Sequence, residues 1–189
     1  ALLTPNTICN GDSVTVQANL TGIGPWTGHW TDGFTNYTET VGSGAGPYTD
    51  NLVIPNGTFN STNVFLNAPT NHYYQVFALE DSHCSANSGD ISGVGSIKVN
   101  PRPTVAVVTT NTICNGDPVT VQANLTGIGP WTVHWTDGFV NYTETVGSGA
   151  GPFTDNLVIP NGTFNPTNVF LNASTNHYYQ VFALNDANC

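Results

Sequence analysis

Apolar and polar residues alternate along most of this chain, and no stretch shows a helical period. From Ser13 to Leu20, Val14, Val16, Ala18 and Leu20 fall on one face and Thr15, Gln17 and Asn19 on the other. That is the pattern of a strand with one buried and one wet face. Trp26 to Thr31 is the next strand, with Trp26, Gly28 and Trp30 inward, after a loop at Thr21–Pro25. Asp32-Gly33 signals a hairpin turn. Strands are predicted at Phe34–Val41, Tyr48–Ile54, Val64–Leu66, His72–Asp81 (the longest) and Ile91–Val99, with Ile97 and Val99 inward. Gly42–Pro47 is predicted to be a flexible loop, and Ala1–Leu3 a short first strand.

The pattern repeats. Asn6-Thr-Ile-Cys-Asn-Gly-Asp12 returns as Asn111-Thr-Ile-Cys-Asn-Gly-Asp117, and 111 − 6 gives a period of 105 residues. Residues 106–189 align with 1–84 without a gap and differ at twelve positions. One difference replaces Gly28 between two inward tryptophans by Val133, which predicts a slot that is open in one copy and filled in the other. The expected organisation is one domain over 1–100, a Pro-rich linker over 101–105 and a second domain over 106–189. The second domain lacks the counterpart of the last strand. Pro101-Arg102-Pro103 is short and stiff, so the domains are expected in line. About eight short strands, regular turn signals and no helix predict an all-β fold, two tandem immunoglobulin-like β-sandwiches.

Four cysteines allow three pairings. The repeat favours Cys9–Cys84 and Cys114–Cys189, because each unit then closes itself, whereas Cys84–Cys114 would staple across the linker and leave Cys9 and Cys189 orphaned. A bridge across the 84 − 9 = 75 residues of one copy would stabilise it by about 4 kcal/mol. Paired cysteines at repeated positions fit an oxidising compartment.

Composition narrows the partners. Lys98 and Arg102 are the only basic residues against 12 acidic ones, a net charge of −10, with 7% charged residues in all. Such a chain has no footprint for nucleic acid or anionic membrane. No apolar run approaches the ~20 residues of a membrane span, so membrane insertion is not expected. There is no Met and no leader-like start, as in a mature, processed product.

Ile8-Cys9-Asn-Gly-Asp-Ser-Val-Thr-Val, Gly24-Pro-Trp26-Thr, Trp30-Thr-Asp-Gly33, Tyr74, Asp81-Ser-His-Cys84, Gly89 and Ile97-Lys-Val-Asn-Pro101 together resemble the tandem Ig-like repeats of large Bacteroidota surface proteins. Those repeats occur in adhesins and gliding-motility proteins exported by the type nine route. The resemblance implies an extracellular stalk or filament module and no enzyme.

Candidate chemistry is sparse. His29, His72, His83, His134 and His177 form no readable triad, and no carboxylate pair has glycosidase spacing. Asn10, Asp12, Glu80, Asp81 and Asp90 lie near strand ends, which makes Asp12 and Asp81 the candidate Ca²⁺ ligands, with hydrogen-bonded Asx turns as the bland alternative. No other cofactor is indicated. Eight N-x-S/T sequons fall at Asn19, Asn36, Asn56, Asn60, Asn124, Asn141, Asn161 and Asn172. Asn19 and Asn124 are favoured because alternation points them outward, and Asn36 and Asn141 follow. The resemblance adds Ser13, in Asp12-Ser13-Val14, as an O-linked acceptor, although Pro118 stands at its place in the second copy. Tyr37, Tyr48, Tyr73 and Tyr74 are the candidate platform for non-covalent glycan binding.

Two functions follow as expectations. One is a structural and adhesive module of an extracellular filament or cell-surface protein, whose partner is another copy of itself. In that reading an edge strand missing from the second copy is supplied by a neighbour, and Ala1–Leu3 is the candidate donor. The other is a carbohydrate-binding module of a secreted protein.

Overall fold

The computed structural model describes residues 5–55, 58, 69–160, 163 and 175–189. Among them every regular element is a strand. The chain divides into two compact units, one through Asn100 and one from Pro101. The expected strands at Ala1–Leu3 and Val64–Leu66 lie outside the described residues.

The first unit contains β1 (Pro5–Cys9), β2 (Val14–Leu20), β3 (Ile23–Thr31), β4 (Asn36–Ala45), β5 (Tyr48–Ile54), β6 (Thr70–Glu80) and β7 (Gly95–Asn100). One sheet has the order β1-β7-β6-β3-β4, and the other pairs β2 with β5. β1 runs parallel to β7, and the β7–β6, β6–β3 and β3–β4 pairs are antiparallel. This is an immunoglobulin-like sandwich. The alternation places the core as expected: Val14, Val16, Ala18 and Leu20 of β2 meet Trp26 and Trp30 of β3, Tyr74 of β6, and Ile97 and Val99 of β7.

The second unit contains β8 (Val105–Val107), β9 (Val119–Leu125), β10 (Ile128–Thr136), β11 (Asn141–Ala150), β12 (Phe153–Ile159) and β13 (Gln180–Asn185). Its sheets are β12-β9-β8 and β11-β10-β13. Trp131, Val133 and Trp135 are fully buried, so Val133 fills the slot that Gly28 leaves open. At Gly28 an added Cβ would sit 3.5 Å from the Trp30 indole nitrogen, an ordinary contact.

Two predicted loops are strand instead. β3 begins at Ile23, and β4 continues through Gly42 and Gly44 to Ala45. The glycines make room for an indole rather than for a loop. A Cβ on Gly24 would lie 2.5 Å from Trp26 Cζ3, and one on Gly42 would lie 2.7 Å from it. Tyr48 stacks on the same indole at 5.4 Å between ring centroids. Gly42 takes φ 64°, a left-handed conformation that L side chains rarely adopt.

Candidate functional site: two cysteine turns, a carboxyl pair and an open edge

The cysteines occupy two kinds of turn, each present twice. In Cys9-Asn-Gly-Asp12 the Asp12 amide donates to the Cys9 carbonyl at 3.0 Å, and in Cys114-Asn-Gly-Asp117 the Asp117 amide does so at 3.1 Å. In the other turn, Asp81 Oδ1 accepts from the amides of His83 and Cys84, both at 2.8 Å, and its Oδ2 accepts from Ile23 N at 3.1 Å. Asp186 repeats this with Asn188 (2.9 Å), Cys189 (2.7 Å) and Ile128 (2.8 Å). These backbone donors hold the Asp81 carboxyl below its ordinary range.

Cys9 and Cys189 are disulfide-bonded. Cys84 and Cys114 are free and exposed. The expected pairs Cys9–Cys84 and Cys114–Cys189 are therefore not formed. The register gives the reason. Cys9 is level with Asn100, beside the Thr70 end of β6, because Cys9 pairs with Asn100 and Thr70 with Val99. Cys84 follows the Glu80 end. Ten residue steps along β6 separate the two ends by about 33 Å at ~3.3 Å per residue, whereas bridged Cα atoms lie within about 7 Å. The turns of one repeat sit at opposite poles of its sheet. The Ca²⁺ candidates Asp12 and Asp81 are separated in the same way. Among the described residues, no three His, Cys, Asp or Glu side chains cluster as metal ligands would.

A buried carboxyl pair was not anticipated. Glu39 faces inward opposite Gly28, between Tyr37 and Val41, and Asp50 is 1% exposed. Trp30 Nε1 donates to Asp50 Oδ2 at 3.0 Å. Glu39 Oε1 and Asp50 Oδ1 are buried without a protein donor. Burial first, and the Asp50 charge second, push Glu39 up to about 6. In the second unit Trp135 Nε1 again donates to Asp155 Oδ2 at 3.0 Å and Glu144 is raised by the same causes, but Asp155 Oδ1 accepts from the Asn156 amide at 2.8 Å. The signal was present in the sequence: Glu39 and Asp50 are in phase with the apolar faces of their strands.

The third feature is an edge. In the first unit, residues 70–74 of β6 pair with β7, and β1 pairs with β7 from the other side. In the second unit β13 pairs with β10 and, among the described residues, with no other strand. Residues 175–179 and 110–114, the counterparts of the two segments that β7 holds, are not strands. Ile8 packs on the first core, whereas Ile113 is 37% exposed. Tyr74 is buried, whereas Tyr179 is half-buried with its hydroxyl lacking a partner.

The other nominated residues are dispersed. Asn19, Asn36, Asn124, Asn141 and Ser13 are exposed. Asn19 and Asn124 each accept a hydrogen bond across the sheet, from Thr49 and Thr154, at 3.1 Å. The sequons at Asn56, Asn60, Asn161 and Asn172 lie outside the described residues. Of the platform tyrosines, Tyr74 is in the core, Tyr37 packs against it and Tyr48 covers Trp26. Tyr73 is open to solvent, with Phe77 further along the same face of β6. Ser82 Oγ lies 2.6 Å from His83 Nδ1 and donates to the Ile23 carbonyl at 2.7 Å. Because that carbonyl can only accept, the serine's proton is committed and His83 must donate to Ser82. The pair is therefore no activated nucleophile, and Ala187 and Asn188 replace it in the second copy.

No family model matches the sequence, and no curated protein matches it. Solved structures similar to the chain are tandem immunoglobulin domains. An I-band fragment of titin is 16% identical over 85% of this chain and 53% of the fragment, with a TM-score of 0.44. The first two immunoglobulin domains of DIP-gamma are 12% identical over 85% of this chain and 82% of that one, at 0.40. A complex of Dpr2 Ig1-Ig2 with DIP-Theta Ig1-Ig3 gives 14% over 96% and 63%, at 0.36. The chain spans about half the length of the titin fragment.

Proposed function

We propose that this chain is a structural and adhesive repeat module of an extracellular filament or cell-surface protein, and that copies join head-to-tail by strand addition. The observation that carries the reading is the edge of β13. The two segments that β7 orders in the first unit lack strand pairing in the second, although their sequences are nearly the same. A β7-like strand from a neighbour would pair with residues 175–179, cover Tyr179 and restore the strand at 110–114. Such a joint does not close on itself, so its natural product is an open filament. The candidate donor Ala1–Leu3 lies outside the described residues. A chain with two basic residues and two cysteine-bearing repeats fits an oxidising, extracellular setting.

The test is hydrogen exchange of the assembled material under reducing conditions. Amides 175–181 should become protected on assembly, and a synthetic β7 peptide (residues 91–103) should compete with assembly. Rapid exchange there, or protection already complete in the monomer, overturns strand addition. The alternative, a carbohydrate-binding module, keeps Tyr73 and Phe77 as its exposed aromatic strip. Retention on a polysaccharide column that is lost in Tyr73→Ala would favour it.

A further inference from the structure

We propose that Cys84 and Cys114 are the two halves of a directional covalent junction, through which Cys114 of one copy of this chain forms a disulfide with Cys84 of the next. The inference goes beyond the strand-addition reading and does not rest on it.

The observation behind it is the unequal fate of equal turns. Cys84 and Cys189 stand in the same Asp-bounded turn, with the same three amide donors on the carboxylate. Cys9 and Cys114 stand in the same Cys-Asn-Gly-Asp turn, with Gly11 and Gly116 at φ 92° and 96°. One member of each pair is disulfide-bonded and the other is free and exposed. The bonded members are the first-type cysteine of repeat one and the second-type cysteine of repeat two. The free members are the complement: the first-type cysteine of repeat two and the second-type cysteine of repeat one. A turn built to present sulfur for a bond in one repeat therefore presents it, unbonded, in the other. Closure within a repeat is barred by the length of β6, so each free thiol needs a partner from another repeat. The unlike type is the partner that reproduces the bonded combination.

The chemistry is thiol–disulfide exchange with glutathione disulfide as oxidant. The Cys84 thiolate attacks one glutathione sulfur, forms a mixed disulfide and releases one glutathione. The Cys114 thiolate of a second chain then attacks the Cys84 sulfur and releases the other. Two protons leave the protein thiols, and the two electrons end on the two glutathiones.

The experiment uses the full chain with its existing disulfide intact, in an oxidised/reduced glutathione buffer, read on non-reducing gels and by peptide mapping. The expected result is a ladder in steps of 20.0 kDa that collapses on reduction, with Cys84–Cys114 as the linking peptide. Cys84→Ser alone and Cys114→Ser alone should remain monomers, while their mixture should stop at dimers. The inference is overturned if the wild type ends as glutathionylated monomer, if Cys84 and Cys114 join within one chain, or if either variant alone dimerises as readily as the mixture. Because strand addition is read without oxidant, the two proposals fail separately.

Discussion

Glu39 occupies a position in phase with Tyr37 and Val41, where an apolar side chain would pack without cost. Its carboxyl stands beside Asp50, which takes the Trp30 indole hydrogen, and burial together with the Asp50 charge favours its neutral form. The pH consequence has a definite sign. Glu39 is raised from 4.5 to about 6 in the folded chain, so its stabilising contribution is complete below about 4.5 and is lost as pH rises through about 6. Glu144 is raised as well, so the second repeat should also lose stability as pH rises. Asp81 is lowered and works oppositely, its contribution falling away in acid below its usual range. Thermal melts from pH 4.5 to 7.5 should therefore show a declining Tm, and Glu39→Gln with Glu144→Gln should flatten it; a Tm that rises over that interval would refute the raised carboxyls. Trp30→Ala removes the same network's lid together with a fully buried ring, and should cost about 3–5 kcal/mol in chemical denaturation. Gly28→Val copies the residue that repeat two already carries, and should be tolerated, with a change in Cm well below that of Trp30→Ala.

At the scale of the element, β7 decides the order of two other segments. Among the described residues, 70–74 and β1 pair with no other strand, so deleting Gly95–Asn100 should release both. Hydrogen exchange in such a variant should show amides 5–9 and 70–74 behaving like 110–114 and 175–179, while β2, β3 and β5 stay protected. Much of this level was legible in the sequence. Val14 to Leu20, Tyr48 to Ile54 and the Asp32-Gly33 turn were placed by period-two alternation and turn chemistry, which are local. What escaped was non-local. Gly24 and Gly42 read as loop residues because only the Trp26 ring, packed against both, explains them. The Cys9–Cys84 pairing failed for a related reason. Sequence spacing cannot tell whether a cysteine lies at the start or the far end of an eleven-residue strand until the register of β1, β7 and β6 is known.

For the whole molecule, the twofold occurrence of every turn means that function is read from differences between copies. Twelve positions differ, yet the carboxyl pair, the indole bonds and both cysteine turns persist. A carbohydrate site built on Tyr37, Tyr48, Tyr73 and Tyr74 was plausible from composition alone, but Tyr74 is in the core, Tyr37 packs against it and Tyr48 covers Trp26, which leaves Tyr73 alone. The buried carboxyls, by contrast, were visible as Glu39 and Asp50 in phase with hydrophobic neighbours, but a charge on a core face is normally assigned to the solvent side.

The position of the two free thiols also sets how such a molecule would answer to tension. If load enters at Cys84 and leaves at Cys114, the covalent path between them is 114 − 84 = 30 residues, with a contour of about 100 Å when drawn out fully. That path contains β7 and the Pro101–Pro103 segment, and none of β2 to β6. A pull along it strips β7 from β1 and β6, while the tryptophan-bearing strands lie outside the loaded segment. Single-molecule stretching between cysteine handles at 84 and 114 should therefore give short extensions capped near that contour, with Ile97 and Val99 drawn out of the core while β2 to β5 stay outside the taut segment.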